Sequence, residues 1–185
     1  MAFLCCLRMR LLMGGYVVVL PFIKIIMPFL LSESYRSGYI YNPVLLAGAV
    51  FSAFSQFYGS AYLVFKKTGG AFSTTVVAAF VNVMIGIGLI KYIGLFAPAL
   101  GTMVSFMVQW LLRTDQMREY FKVKIHKKDF SILLMLMIIS TWVYYLNNVM
   151  VNVVSFAMGV VIFMCFNRSF VKPVIDKLLN RNLRG

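Results

Sequence analysis

The chain has 185 residues, 62% hydrophobic and 12% charged, with a mean hydropathy of +0.88, against roughly a quarter charged in a soluble globular domain. That balance excludes an ordinary water-soluble domain, and the continuous apolar runs exclude a transmembrane barrel, whose strands alternate apolar and polar positions. The 18 Lys and Arg against 5 Asp and Glu give a net charge of +13; in a soluble chain this would suggest nucleic acid, but in a membrane chain it marks cytoplasmic loops, and no nucleic-acid partner is expected.

Residues 1–10 are apolar and end in Arg8 and Arg10. They read as a cytoplasmic N-terminus or the end of an upstream helix. They do not read as a signal peptide, because the arginines follow the apolar stretch and no small-residue cleavage site appears. The first span is expected over 11–31, about the 20 apolar residues that cross a bilayer core as a helix. It contains Pro21, Lys24 and Pro28; a proline removes a backbone donor and tends to kink a helix, which membrane bundles tolerate. The connection 32–42 carries Glu33, Arg36 and the interfacial tyrosines Tyr35, Tyr39 and Tyr41, a residue type favoured at membrane–water boundaries.

A second span is expected over 43–65, with Pro43 well placed at a first helical turn. Its Ser52, Gln56 and Ser60 lie four apart and so share a face. Lys66-Lys67-Thr68 and Gly69-Gly70 punctuate the chain before a third span over 71–90, where Ala78, Asn82 and Gly86 share a face. Lys91 and Gly94 precede a fourth over 95–112, with Ala97, Gly101 and Ser105 four apart. Small residues at that spacing let helix backbones approach closely in a membrane. Packing through these faces is the expected use, with Gln56, Asn82 and Gln109 as interhelical hydrogen-bonding groups; lining a polar cavity is the alternative.

The stretch from Arg113 to Asp129 reads as one long polar connection, either solvated or a short amphipathic helix on the membrane surface. His126, the single histidine, lies in it without a catalytic partner. A fifth span over 130–146, a turn at Asn147-Asn148, a sixth over 149–166 and a basic tail over 167–185 complete the chain. The expected fold is therefore all-α: a polytopic membrane protein with about six transmembrane helices over 11–166.

Charge sorts with that count. If six spans alternate, one side receives the cations of residues 1–10, of Lys66-Lys67, of 113–129 and of the tail, fifteen in all; the other receives Arg36 and Lys91, and Lys24 lies inside a span. The excess of Lys and Arg on cytoplasmic loops then places both termini in the cytoplasm.

In order along the chain, Tyr58-Gly59, Lys66-Lys67-Thr68, Asn82, the run from Gly94 to Thr102, and Arg113 resemble the polysaccharide transporter family, the O-antigen and related flippases of the multidrug, oligosaccharidyl-lipid and polysaccharide exporter superfamily. Leu30-Leu31-Ser32-Glu33-Ser34-Tyr35 looks like that family's L-L-G-E-x-Y turn, with Ser32 in place of Gly; Ala97 and Pro98 also depart from its small-residue run. The resemblance covers 11–113, and the last two spans match as a generic helix pair. It implies part of one bundle of a flippase-like fold, the C-terminal portion of a transporter incomplete on its own. The transporter would move a lipid-linked oligosaccharide across the bacterial inner membrane for surface polysaccharide synthesis by alternating access. Membrane lipid, the lipid-linked oligosaccharide, a missing N-terminal half and other polysaccharide-assembly membrane proteins are the partners this implies.

Three residues are the candidate substrate-binding positions: Lys24, Gln56 and Asn82. A mid-bilayer lysine is costly and usually faces protein or water; Lys24 either attracts the carrier's pyrophosphate or snorkels to the interface. No Asp or Glu lies within a span, so an ion-coupling carboxylate would come from elsewhere. Neither an enzyme nor a cofactor or metal is expected, since no cluster of base, nucleophile or ligand residues is present; Cys5, Cys6 and Cys165 lack metal-ligand spacing. The alternative function is a small membrane interaction subunit that transports nothing.

Overall fold

A computed structural model describes residues 2–30, 38–118, 120, 127–146 and 148–168. Six helices account for nearly all of them: α1 (Ala2–Leu30), α2 (Asn42–Val64), α3 (Thr68–Ile93), α4 (Phe96–Gln116), α5 (Lys127–Tyr145) and α6 (Val149–Phe166). No strand occurs among the described residues. Three helical stretches, Leu7–Met27, Gly38–Val64 and Thr68–Ile93, are long and apolar enough to cross a membrane. Their apolar surface outside the packed faces and the loops' cationic character make this a membrane-associated helical protein.

The helix ends follow from local chemistry. Pro43 lies in the first turn of α2, where its missing N–H has no intrahelical partner to lose. The end of α2 is a Schellman turn: Lys66 N donates to Leu63 O at 3.2 Å and Lys67 N to Tyr62 O at 2.9 Å. The left-handed position of that turn, usually glycine, is occupied by Lys66 at φ 54°. Gly94, at φ 56°, ends α3 in backbone geometry that an L side chain resists. Asn148 caps α6 by accepting from Met150 N, satisfying one of the orphan donors of a helix start.

Two boundaries differ from the sequence expectation. The stretch 2–10 is continuous with the first apolar helix, which starts at Ala2 and passes through a buried Pro21. At the other, α4 runs on to Gln116 and draws Arg113 out of the expected polar connection into a helix and into the core. The reason is that the guanidinium finds hydrogen-bond acceptors on two neighbouring helices, described below. His126, the turn at 31–37 and the tail from 169 lie outside the described residues.

The chain divides into two compact units. In the first, α2, α3 and α4 form a three-helix layer in which α4 packs on both others. Paired positions set the directions. Tyr41 meets Phe96, Gly48 lies against the Met103 backbone, Ser55 bonds Gln109 and Tyr62 bonds Gln116, so α2 and α4 run parallel. Thr74 bonds Arg113 while Asn82 lies against Gly101, so α3 runs antiparallel to α4. The interfaces rely on missing side chains. A Cβ on Gly48 would stand 3.3 Å from Met103 Cα, and one on Gly101 would stand 3.0 Å from the Asn82 carbonyl oxygen. Phe51, Phe54 and Trp110 add a ring cluster with centroids 5.7–6.4 Å apart, tying α2 to α4 at distances favourable for aromatic pairs.

In the second unit, residues 6–25 of α1 pack with α5 and α6. Arg10 forms an ion pair with Asp129, Tyr16 and Thr141 share a hydrogen bond of 2.7 Å, and Lys24 donates to the Tyr144 carbonyl; α1 and α5 therefore run parallel. Gly14 lies against Phe163, the Val17 carbonyl against Gly159, and Phe22 stacks on Phe156 at 5.5 Å, so α6 runs antiparallel to α1.

Candidate functional site

The most unusual chemistry in the described residues lies between α2, α3 and α4. On α4 the four-residue series Ala97, Gly101, Ser105, Gln109, Arg113 forms a continuous buried stripe, because residues four apart lie nearly above one another on a helix. Small residues at its start let α3 approach; polar residues at its end meet a polar patch on α2 and α3.

Arg113 is 8% exposed. Its Nε donates to Thr74 Oγ1 at 3.1 Å, Nη1 to the Ser55 carbonyl at 3.0 Å and Nη2 to Thr75 Oγ1 at 3.1 Å. Gln109 joins the same cluster: it accepts from Ser55 Oγ at 3.0 Å and donates to Thr75 Oγ1 at 3.2 Å. Both threonine hydroxyls donate in turn to carbonyls of their own helix, Thr74 to Gly70 and Ala71, Thr75 to Ala71. Gly59 makes the space, since a Cβ there would stand 2.8 Å from Arg113 Nη1. Every acceptor of the guanidinium is neutral. Burial of a charge is costly unless it is paired and hydrogen-bonded, and here hydrogen bonds are present but no carboxylate accepts from Arg113.

One turn further on, the ends of α2 and α4 and the start of α3 enclose a cleft of about 240 Å³ lined by Tyr62, Lys67, Gly70, Gln116, Met117 and Tyr120. The Tyr62 hydroxyl donates to Gln116 Oε1 at 2.6 Å. Lys67 bonds the Tyr120 hydroxyl and lies over its ring, 4.5 Å from the centroid, a cation–π arrangement. Close approach at Gly70 is required, since a Cβ there would stand 2.5 Å from the Tyr62 ring. Asp115 is the sole carboxylate among the described residues of this unit; it is exposed and 3.7 Å from Arg118.

Of the three sequence candidates, Gln56 and Asn82 lie on separate helices of the first unit and Lys24 lies in the second. Gln56 is exposed on α2; the polar residue of that helix used for packing is its neighbour Ser55. Asn82 is half-buried in the α3–α4 interface, its Oδ1 beside Gly101. Lys24 belongs to the second unit, where it donates to a carbonyl in the last turn of α5 and lies 4.5 Å from the Tyr144 ring centroid. A cation suits that position, because a helix C-terminus carries partial negative charge. Among the described residues no group of three His, Cys, Asp or Glu side chains is placed to hold a metal ion.

Ser55, Thr74, Thr75 and Arg113 were not singled out from the sequence as one site. A signal for part of it was present. Continuing the series Ala97, Gly101, Ser105 by two steps reaches Gln109 and Arg113, and stepping back from Ala78 reaches Thr74 and Gly70. Comparison with family models, with curated proteins and with solved structures gives no match.

Proposed function

We propose that the chain crosses a bacterial inner membrane six times, with both termini cytoplasmic, and serves as part of one bundle of a flippase-like transporter for lipid-linked oligosaccharide. The observation that carries the topology is helix direction. Within one unit α2 and α4 run parallel with α3 reversed; within the other α1 and α5 run parallel with α6 reversed. Strictly alternating spans require those relations. Helix lengths agree as well. The 21, 19 and 18 residues of α4, α5 and α6 extend about 27–32 Å at 1.5 Å per residue, close to a hydrocarbon core of about 30 Å.

Support for transport comes from where the helices end. An α2 that stops just before Lys66-Lys67, an Asn82-bearing α3, a break at Gly94 and a small-residue α4 reaching Arg113 reproduce the order of features on which the flippase resemblance rests. In this reading a second bundle completes the substrate path, since a central cavity needs two walls.

Two experiments test it. Reporter fusions in the 38–42 segment and at residue 185 should report opposite sides of the membrane; the same side for both rejects six spans. In a flippase-null strain, the chain expressed alone should leave surface polysaccharide absent, and co-expression with an N-terminal bundle of the same transporter class should restore it. Failure of every such pairing, with the chain correctly inserted, favours a membrane interaction subunit without transport.

A further inference from the structure

We propose that α2 is the seam of a homodimer, in which the Gln56 amides of two copies of this chain pair with each other inside the membrane. The inference rests on α2 crossing the bilayer and is independent of what the protein transports.

The side of α2 that its sequence marks for packing is not the one used within the chain. Phe54, Ser55 and Tyr58 turn inward. The other side carries Leu45, Ala49, Gln56, Ser60 and Leu63, all exposed, with half-buried Ser52 at its edge. These six residues recur in steps of three and four, the spacing by which two helices bury a common seam. Ala49, Ser52 and Ser60 are small, and small residues let membrane helices approach closely.

Gln56 is the residue that calls for a partner. It lies eight residues before Val64, about 12 Å along the helix axis at 1.5 Å per residue, within the apolar stretch Gly38–Val64. A glutamine side chain is too short to return to water from there. Among the described residues its amide makes no hydrogen bond, whereas Ser60 donates to the Phe57 carbonyl of its own helix. Lipid chains offer an amide neither donor nor acceptor, and a polar group left unpaired in hydrocarbon is costly.

Three properties select a second copy as the partner. An amide carries both donors and an acceptor, so two of them satisfy each other reciprocally. Copies inserted in the same orientation are related by an axis along the membrane normal. That axis sets α2 beside α2 in parallel and brings the two Gln56 side chains together at one depth, the self-complementary contact typical of a homodimer. No charged residue lies between Leu45 and Leu63, so the seam meets its own copy without repulsion in a chain whose net charge is +13.

The test uses the full chain in isolated membranes, with Cys5, Cys6 and Cys165 replaced by alanine. One new cysteine is then introduced, Ala49→Cys or Ser60→Cys, each leaving Gln56 in place. Oxidation by copper phenanthroline should give a disulfide-linked product of twice the chain's mass from both. Phe80→Cys, exposed on α3, should give none. Adding Gln56→Leu to Ser60→Cys should lower the yield about tenfold, the factor set by losing an interhelical hydrogen-bonded pair, with the purified variant equally helical by circular dichroism. Gln56→Asn, which keeps an amide, should retain most of the yield. Absence of product from both seam cysteines overturns the proposal. So does a yield from Ser60→Cys no higher than that from Phe80→Cys, or one undiminished by Gln56→Leu. A product of any other mass gives this face to a different protein and overturns the choice of a second copy.

Discussion

Replacing Gly101 by leucine tests whether α3 and α4 truly pack backbone to backbone. A Cβ at Gly101 would lie 2.7 Å from Asn82 Oδ1, 3.0 Å from the Asn82 carbonyl oxygen and 3.5 Å from Gly86 N. The amide can rotate away, so the first contact is cheap to relieve. The second and third are main-chain atoms of α3. Ordinary carbon–oxygen contacts lie near about 3.3–3.6 Å, so alanine forces the two helices apart by a few tenths of an ångström. Overpacking of this kind costs about 1–3 kcal/mol, and the gain in helix propensity from replacing glycine returns about 1 kcal/mol. Gly101→Ala should therefore destabilise the unit by about 1 kcal/mol, and Gly101→Leu, whose further carbons enter the same interface, by about 3 kcal/mol. Gly88 is the internal control: it lies on the same α3, exposed, with nothing within 4 Å of an added Cβ. Unfolding of the purified chain by increasing sodium dodecyl sulfate in a mild detergent, followed by circular dichroism, gives the midpoints. If Gly101→Leu and Gly88→Leu unfold at the same midpoint, that face of α4 meets lipid and the packing account is wrong.

Other substitutions separate the remaining interactions. Lys66 occupies a left-handed position that costs a non-glycine residue about 1 kcal/mol or more, so Lys66→Gly should raise the unfolding midpoint, by about 1 kcal/mol in the same titration. Arg113→Met should change stability by no more than about 1 kcal/mol, because removing a buried charge offsets the lost hydrogen bonds and the threonine donors keep their helix carbonyls. Arg113→Ala should cost about 2–4 kcal/mol through the cavity it leaves; equal losses in Met and Ala would show that the hydrogen bonds dominate. Lys24→Ala should loosen the end of α5, losing about 1 kcal/mol of cation–π and carbonyl contact, visible as faster amide exchange near Tyr144; export in the reconstituted pair measures its separate role toward substrate.

The sequence alone determined the helical, membrane-associated class and, the start of α1 excepted, the helix boundaries to within a few residues, because both depend on local properties. Apolar length, Gly94, the Lys66–Gly70 break and Pro43 act through the backbone of their own segment. It also marked one packing face correctly, since α4 alternates small and polar residues against large apolar ones and its series from Ala97 to Ser105 has a single interpretation. For α2 the same reasoning chose the wrong face. Ser52, Gln56 and Ser60 share a side, yet the buried one holds Gly48, Ser55, Tyr58 and Tyr62. A helix that is apolar nearly all round has no strong periodic signal, so its rotation is decided by the neighbour it meets. The fate of the charges was decided in the same way. Arg113 read as a loop cation and Lys24 as either a cavity cation or a snorkelling one, because sequence gives only their distance from a helix end. Which acceptors stand within hydrogen-bond reach depends on helices more than thirty residues away in the chain: Thr74, Thr75 and Ser55 for Arg113, the Tyr144 carbonyl for Lys24. Hydrogen bonds of that kind exist only once the helices have packed, and no local pattern encodes them.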